Sequence, residues 1–342
     1  MEEPIRVLLT GAAGAVGQEV VRELVARAPR LVTRTFELPC LRTRRRLWPW
    51  RGQIETHWGD LRDPAAVARA AEGADVVIHA GALIPPRADR EPALAAATNE
   101  GGTANLLAAL QARAGREGRP AWVIYTSSIS IYGDRVAEPW IRVGDPLRPS
   151  LGDHYAETKL RAEDMLRASG LPFTILRLTG ILGPHMKPDP LMFHMPLDTS
   201  LEVCTNRDCG YALAEAALHP AELQGRTFNL GGGPRGRTLY REFLERWFEL
   251  AGLGRGFLPE EAFAARNFHC GYYADGDELE RVLHFQREGL EELFEQVRAR
   301  FGPLTRAAAR LARPLVRTAL LAGSEPLHAR ATGDQALVER FF

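Results

Sequence analysis

An excess of either charge is missing from this chain: 43 lysines and arginines face 43 aspartates and glutamates, for a formal net charge of zero. That balance excludes a global electrostatic pull toward nucleic acid or an anionic surface. Cysteine is scarce, with Cys40, Cys204, Cys209 and Cys270 scattered over 342 residues. Cys204 and Cys209 lack zinc-site spacing and a second ligand pair, so no metal is expected and the four read as buried free thiols of a reducing, cytoplasmic compartment. No apolar run is long enough to span a bilayer. A glycine turn begins almost at once, so no signal peptide is expected. Internal repeats are absent. The length allows one large domain or two modest ones with ample core.

What the chain does have is alternation. Ile5 to Leu9 is a short apolar run entering a glycine turn, which reads as a buried parallel strand. Gln18 to Ala28 then carries Val20, Val21, Leu24 and Val25 at helical spacing. Further strands are expected within Leu31 to Leu38 and at Ile54 to Trp58, Ala74 to His79, Trp122 to Thr126 and Phe173 to Leu178. Helices are expected at Pro64 to Glu72, capped by Asp63, and at Asn99 to Ala114. The pattern predicts an α/β, doubly wound parallel sheet of the Rossmann type. After Gly180 it loosens: Gly183 to Ser200 is rich in proline and methionine and has no period. Helices return at Asp208 to Leu218, Leu239 to Ala251 and Glu288 to Arg300, with a strand at Thr227 to Gly231. Residues 1–180, completed by about 205–231, are expected to form the sheet domain. Residues 181–204 and 232–302 are expected to form a smaller substrate-binding lobe, and 303–342 an amphipathic extension.

Three local patterns carry chemistry. Gly11, Gly14 and Gly17, with Ala13, Ala15 and Val16 between them, follow the first strand and open a helix. Glycine lets the backbone approach a pyrophosphate, and the helix N-terminus supplies N–H donors. Tyr155 and Lys159, four apart, share a helix face. A buried ammonium beside a phenol favours phenolate, so the Tyr155 pKa is expected to fall toward neutrality, fitting it for proton transfer. Ser128 upstream offers a hydroxyl for the same substrate oxygen. Asp60, beside Leu61, is placed to accept from an adenine amino group, and His79, Ala80 and Gly81 end a strand at the crevice where dinucleotides bind. Thr126, Leu178, Gly180 and Ile181 are expected to complete that site. At the end of the second strand Glu37 would grip a ribose hydroxyl, whereas Arg34, Arg42, Arg44, Arg45 and Arg46 would meet a 2′-phosphate. The arginines favour NADP, with Glu37 keeping NAD as the alternative.

From Ile5 to about Arg300 the chain resembles the extended short-chain dehydrogenase/reductases, the NAD-dependent epimerase/dehydratase group. The resemblance rests on the glycine turn, Gly59-Asp60-Leu61, His79 to Ala82, Asn99 to Thr103, Ser127 to Gly133, Tyr155 with Lys159, Arg177 to Pro184, and Asn229 to Gly233. It implies Ser128 as the active-site hydroxyl, Tyr155 as acid/base and Lys159 as its partner, also touching the nicotinamide ribose. Asn99 is implied to brace the backbone beside the cofactor, and Tyr132 and Gly133 to shape a pocket wall. Homodimer formation through Asn99 to Ala114 and Tyr155 to Ser169 is also implied.

Two departures narrow the reaction. Dehydratases of the group place an Asp-Glu pair after the active-site hydroxyl, where this chain has Ile129-Ser130. Nucleotide-sugar members carry an asparagine where Gly180 stands. The segment Leu182 to Ser200 offers few cations and many apolar residues. Ile84, Ile129, Ser130, Met192 and Phe193 are therefore expected to join Ser128 and Tyr155 in a pocket for a mostly apolar molecule, unless the apolar ones are simply core. A carbonyl reductase or alcohol dehydrogenase is expected. A nucleotide-sugar epimerase using the same three residues, or a regulatory protein that binds dinucleotide without turnover, are the alternatives. The arginine-rich stretch from Thr305 to Leu321, broken by Pro314, either lies on an anionic membrane or covers an apolar patch of its own chain or a partner subunit.

Overall fold

The computed structural model describes residues 3–266 and 270–342. Its strands are, in chain order, β1 (Ile5–Thr10), β2 (Leu31–Glu37), β3 (Glu55–Trp58), β4 (Val76–His79), β5 (Trp122–Ser128) and β6 (Trp140–Ile141). They continue with β7 (Phe173–Leu178), β8 (Gly180–Leu182), β9 (Ser200–Thr205), β10 (Arg226–Leu230), β11 (Arg237–Leu239) and β12 (Tyr272–Tyr273). Seven of them form one parallel sheet in the order β10-β7-β5-β4-β1-β2-β3. Val7, Leu9, Ile78 and Ile124 are buried on one face and Leu8, Val77 and Val123 on the other, as a sheet covered on both sides requires. Strand order reverses between β1 and β4, so the chain leaves their C-terminal ends in opposite directions and opens a crevice there.

On one face the helices Ala15–Ala26 and Asn206–Ala216 pack together through Val20, Val21, Leu24, Ala212 and Leu213. Gly210 permits the close approach, since a Cβ there would strike Glu19. On the other face Pro64–Ala71, Gly102–Glu117 and His154–Ala168 bury Val67, Leu106, Leu110, Ala162 and Leu166. Asp63 caps the first of these as expected, its Oδ1 accepting from Ala65 N at 2.9 Å and Ala66 N at 3.3 Å.

The smaller lobe carries β9 between β8 and β11, and the pair β6–β12. Its core is aromatic: Phe193, Tyr240, Phe243, Trp247, Phe248, Phe257, Phe263 and Phe294 are all buried. β10 returns to the main sheet beside β7, pairing Phe228 with Leu176. The two units are joined at Arg177, which donates to both carboxylate oxygens of Glu163 at 3.0 and 2.8 Å, to the Tyr132 hydroxyl at 2.6 Å and to the Val143 carbonyl at 3.0 Å. Burial alone would raise the Glu163 carboxyl; the Arg177 guanidinium outweighs it and holds the group below its usual range.

The C-terminal region breaks at Pro314, as its sequence indicates. The amphipathic stretch is two helices, Pro303–Leu311 and Arg313–Leu321, because Pro314 occupies the first turn of the second. Two short helices follow, Glu325–Thr332 and Gln335–Phe341, each opened by a side-chain cap from Ser324 and Asp334. The loose segment after Gly180 contains β8, a short 3₁₀ turn at Pro190–His194 and the approach to β9. Cys204, Cys209 and Cys270 are buried free thiols, whereas Cys40 is exposed.

Candidate active site

β1 delivers the chain into Gly11, whose φ of 77° only glycine tolerates well. A Cβ at Gly11 would meet Gly81 N at 2.7 Å, and one at Gly17 would strike the Gly11 carbonyl. The turn closes with Gly14 N donating to Gly11 O at 3.0 Å. Its backbone therefore lies bare at the start of the helix Ala15–Ala26, the cradle an anionic diphosphate requires. Thr10 Oγ1 accepts from Gly81 N at 2.9 Å and so ties this turn to the loop after β4.

Glu37 and Arg46 converge on the same turn. Glu37 Oε1 accepts from Ala13 N at 2.6 Å, and Arg46 Nη1 donates to Ala13 O at 2.6 Å. Burial pushes the Glu37 carboxyl up, opposed by the Ala13 hydrogen bond. Of the five arginines near this position only Arg42 and Arg46 reach the cleft. Arg34 is drawn across the sheet to Glu55, at 2.8 Å, and the Ala70 carbonyl, at 3.1 Å. Arg44 stacks over Trp58 at 4.7 Å, and Arg45 lies outside the lining. Asp60 lines the cleft with its carboxylate held by Arg62 Nε at 3.0 Å, which keeps its pKa below the usual carboxylate range.

At the other end of the cleft, β5 presents Ser128, which accepts from Ser130 N at 3.2 Å and from Ser130 Oγ at 2.9 Å. Asp153 caps the helix His154–Ala168 through Ala156 N at 2.8 Å, and Tyr155 and Ser128 line the same cleft. Lys159, one turn on, donates to Thr126 O at 2.7 Å and lies 5.6 Å from the Tyr155 ring centroid.

The ionisation order is the reverse of that expected from sequence. Burial, reinforced by the Asp153 carboxylate, raises the Tyr155 phenol well above its ordinary value, with Ser128 opposing. Burial also pulls Lys159 down to about 7 against the attraction of Glu163. Desolvation penalises both charged forms. Asp153 is itself pushed to about 6 by burial, against its backbone hydrogen bond and Arg340.

Most residues singled out in the sequence line one cleft of about 870 Å³; besides Arg34, Arg44 and Arg45, those outside its lining include His79, Asn99, Ile129, Tyr132, Gly133, Gly180, Met192 and Phe193. His79 lies beneath the cleft, Nδ1 2.7 Å from Thr10 Oγ1 and Nε2 3.1 Å from Thr103 Oγ1. Asn99 accepts from Leu83 N at 2.7 Å and donates to Leu83 O and Thr158 Oγ1 at 3.0 Å, bracing the cleft loop from behind. Gly180 sits in β8, where a Cβ would meet Glu202 O at 3.3 Å. Ile129 and Phe193 are buried in the aromatic core and Met192 packs on it, because the turn at Pro190–His194 directs Leu191 and His194 to the cleft instead. Tyr132 likewise bonds inward, donating to Asn229 Oδ1 at 2.8 Å.

Sequence reasoning missed the far wall. Arg340 and Phe341, from the last helix, line the cleft with Asp89, Asp153 and His194. Phe341 is 1% exposed, 4.9 Å from the His194 ring, and its carbonyl accepts from Ala265 N at 2.8 Å. Arg340 faces Asp89 and Glu325, each at 3.8 Å.

A sequence profile described as the NAD dependent epimerase/dehydratase family matches residues 7–198. A 3 beta-hydroxysteroid dehydrogenase/Delta 5→4-isomerase of Mycobacterium tuberculosis is 33% identical over 212 residues, 58% of this chain and 52% of that protein. A GDP-6-deoxy-D-mannose reductase of Pseudomonas aeruginosa is 32% identical over 168 residues, 48% of this chain and 47% of that protein. The chain thus spans about half the length of these curated relatives. Among solved structures, a Thermus thermophilus UDP-glucose 4-epimerase in complex with NAD superposes with a TM-score of 0.68 at 22% identity, covering 87% of this chain and 99% of that one.

Proposed function

This chain belongs to the NAD-dependent epimerase/dehydratase family, and on that premise we propose that it is a nicotinamide-dinucleotide oxidoreductase that interconverts a carbonyl and a hydroxyl on a small, mostly apolar molecule. The observation that carries this reading is the meeting of Ser128, Tyr155 and Lys159 in the cleft that also holds the bare glycine turn. Bound nicotinamide supplies the hydride acceptor or donor. Tyr155, a phenol at neutral pH, holds the proton that passes to or from the substrate oxygen. Ser128 donates a hydrogen bond to that oxygen as charge develops on it. Lys159 anchors the helix and stabilises the phenolate that forms when Tyr155 gives up its proton.

NAD is proposed over NADP. The Glu37 carboxylate stands at the end of β2 against the glycine turn, where it suits a ribose hydroxyl and opposes a phosphate. The cations at the substrate end are engaged: Arg87 with Glu91 at 2.7 Å, and Arg340 with Asp89 and Glu325. Ile84, Leu151, Leu191 and Phe341 supply apolar wall between them. This favours an uncharged substrate over a sugar diphosphate. Calorimetric titration with NADH, NADPH and UDP-glucose, followed by a ketone panel read through nicotinamide absorbance, tests it. NADH binding, no heat from UDP-glucose and turnover of apolar ketones are expected. UDP-glucose binding would make the epimerase the leading reading, and dinucleotide binding without any turnover would leave a regulatory protein.

A further inference from the structure

Residues 296–324 contain six arginines and no lysine, aspartate or glutamate. In a chain whose charges cancel overall, this concentrates positive charge on one segment and leaves the remainder acidic. The helices Pro303–Leu311 and Arg313–Leu321 carry it. Their inward side is already used: Ala309, Val316, Leu320 and Leu321 pack against the aromatic core of the lobe. A surface helix whose buried stripe is filled is expected to turn polar residues outward. Here the outward side holds Leu304, Leu311 and Leu315, at 87%, 87% and 76% exposure the most exposed large apolar side chains among the described residues. Leu304 and Leu311, seven apart, share one stripe of the first helix. Arg310, Arg313 and Arg317 are exposed beside them, with no carboxylate partner among the described residues.

We propose that these two helices form a docking face for an anionic lipid surface, with the three leucines entering the headgroup and acyl boundary and the arginines meeting lipid phosphates. Leucines flanked by arginines, without acid, suit that boundary, where apolar area and positive charge both add to binding. A second copy of this chain fits poorly. Two-fold pairing would set Arg310, Arg313 and Arg317 against the same residues of the other copy.

The test is flotation of the full chain with vesicles of phosphatidylcholine alone and of an equal mixture with phosphatidylglycerol. The protein is expected to float with the mixed vesicles, less so as salt is raised, and to stay behind with phosphatidylcholine alone. Replacing Leu304, Leu311 and Leu315 together by serine lowers partitioning by more than about tenfold. Replacing Arg310, Arg313 and Arg317 by glutamine lowers the preference for anionic vesicles on the order of 100-fold. All six side chains are exposed, so unchanged thermal melting and dinucleotide affinity are expected to certify the fold of both variants. Absence of the wild-type protein from both vesicle fractions overturns the proposal, as does equal flotation of the serine variant. A dimer in sedimentation velocity that the serine substitutions dissociate overturns it in favour of a subunit interface.

Discussion

Lys159 donates a 2.7 Å hydrogen bond to the carbonyl oxygen of Thr126, two residues before Ser128 on β5. One buried ammonium thereby ties the helix that carries Tyr155 to the strand that carries Ser128. Tyr155 and Ser128 are thus held in register.

Tyr155→Phe removes the proton and keeps the ring in its slot beside Ser128 and Lys159. The rate of ketone reduction is expected to fall by about 10²–10⁴ with NADH affinity unchanged. Single-turnover kinetics and calorimetry on the same preparation check this. An unaltered rate would take Tyr155 out of the proton transfer.

Glu37→Ala removes the carboxylate from the glycine turn and leaves Arg42 and Arg46 in the cleft. The ratio of NADPH to NADH affinity is expected to rise by roughly tenfold, equivalent to about 1.4 kcal/mol. Parallel titrations measure it. No change in the ratio would mean that the 2′ position of the ribose lies elsewhere.

Arg340→Met and Phe341→Leu alter the far wall and touch nothing at the glycine turn. The KM for an apolar ketone such as trans-1-decalone is expected to rise roughly tenfold in at least one of them, with NADH affinity held. Unchanged KM in both would place the bound substrate away from the last helix.

His79 gives a pH signature. Burial, with a smaller contribution from the Lys159 charge, lowers its pKa from 6.5 to about 3. The unfolded chain therefore binds a proton that the folded one refuses. The resulting stability is complete above pH 6.5 and is lost as pH falls toward 3. Urea midpoints across that range are expected to drop more steeply for the wild type than for His79→Gln. Parallel curves would show that His79 is protonated in the fold.

Much of the site was legible because its parts are local. Gly11, Gly14 and Gly17 lie in one turn, and Tyr155 and Lys159 in one helical turn; strand-to-helix spacing alone puts such groups at the C-terminal end of a parallel sheet. The sheet was legible for the same reason, since buried parallel strands announce themselves as short apolar runs. The slot beyond Tyr155 was not. Met192 and Phe193 look as apolar as Leu191, and only the turn at Pro190–His194 decides which of them faces the cleft.

By itself, then, the order of residues determined the glycine cradle and the Tyr155–Lys159 helix face, which depend on neighbours in the chain, and the alternation of strand and helix from which the dinucleotide-type fold was read. Tertiary structure alone decided that Ser128 meets Tyr155, that His79 faces inward, and that Arg340 and Phe341 wall a cleft shared with Tyr155, which lies far back along the chain. Desolvation and long-range contact arise only once distant segments pack against each other, and no local spacing encodes them.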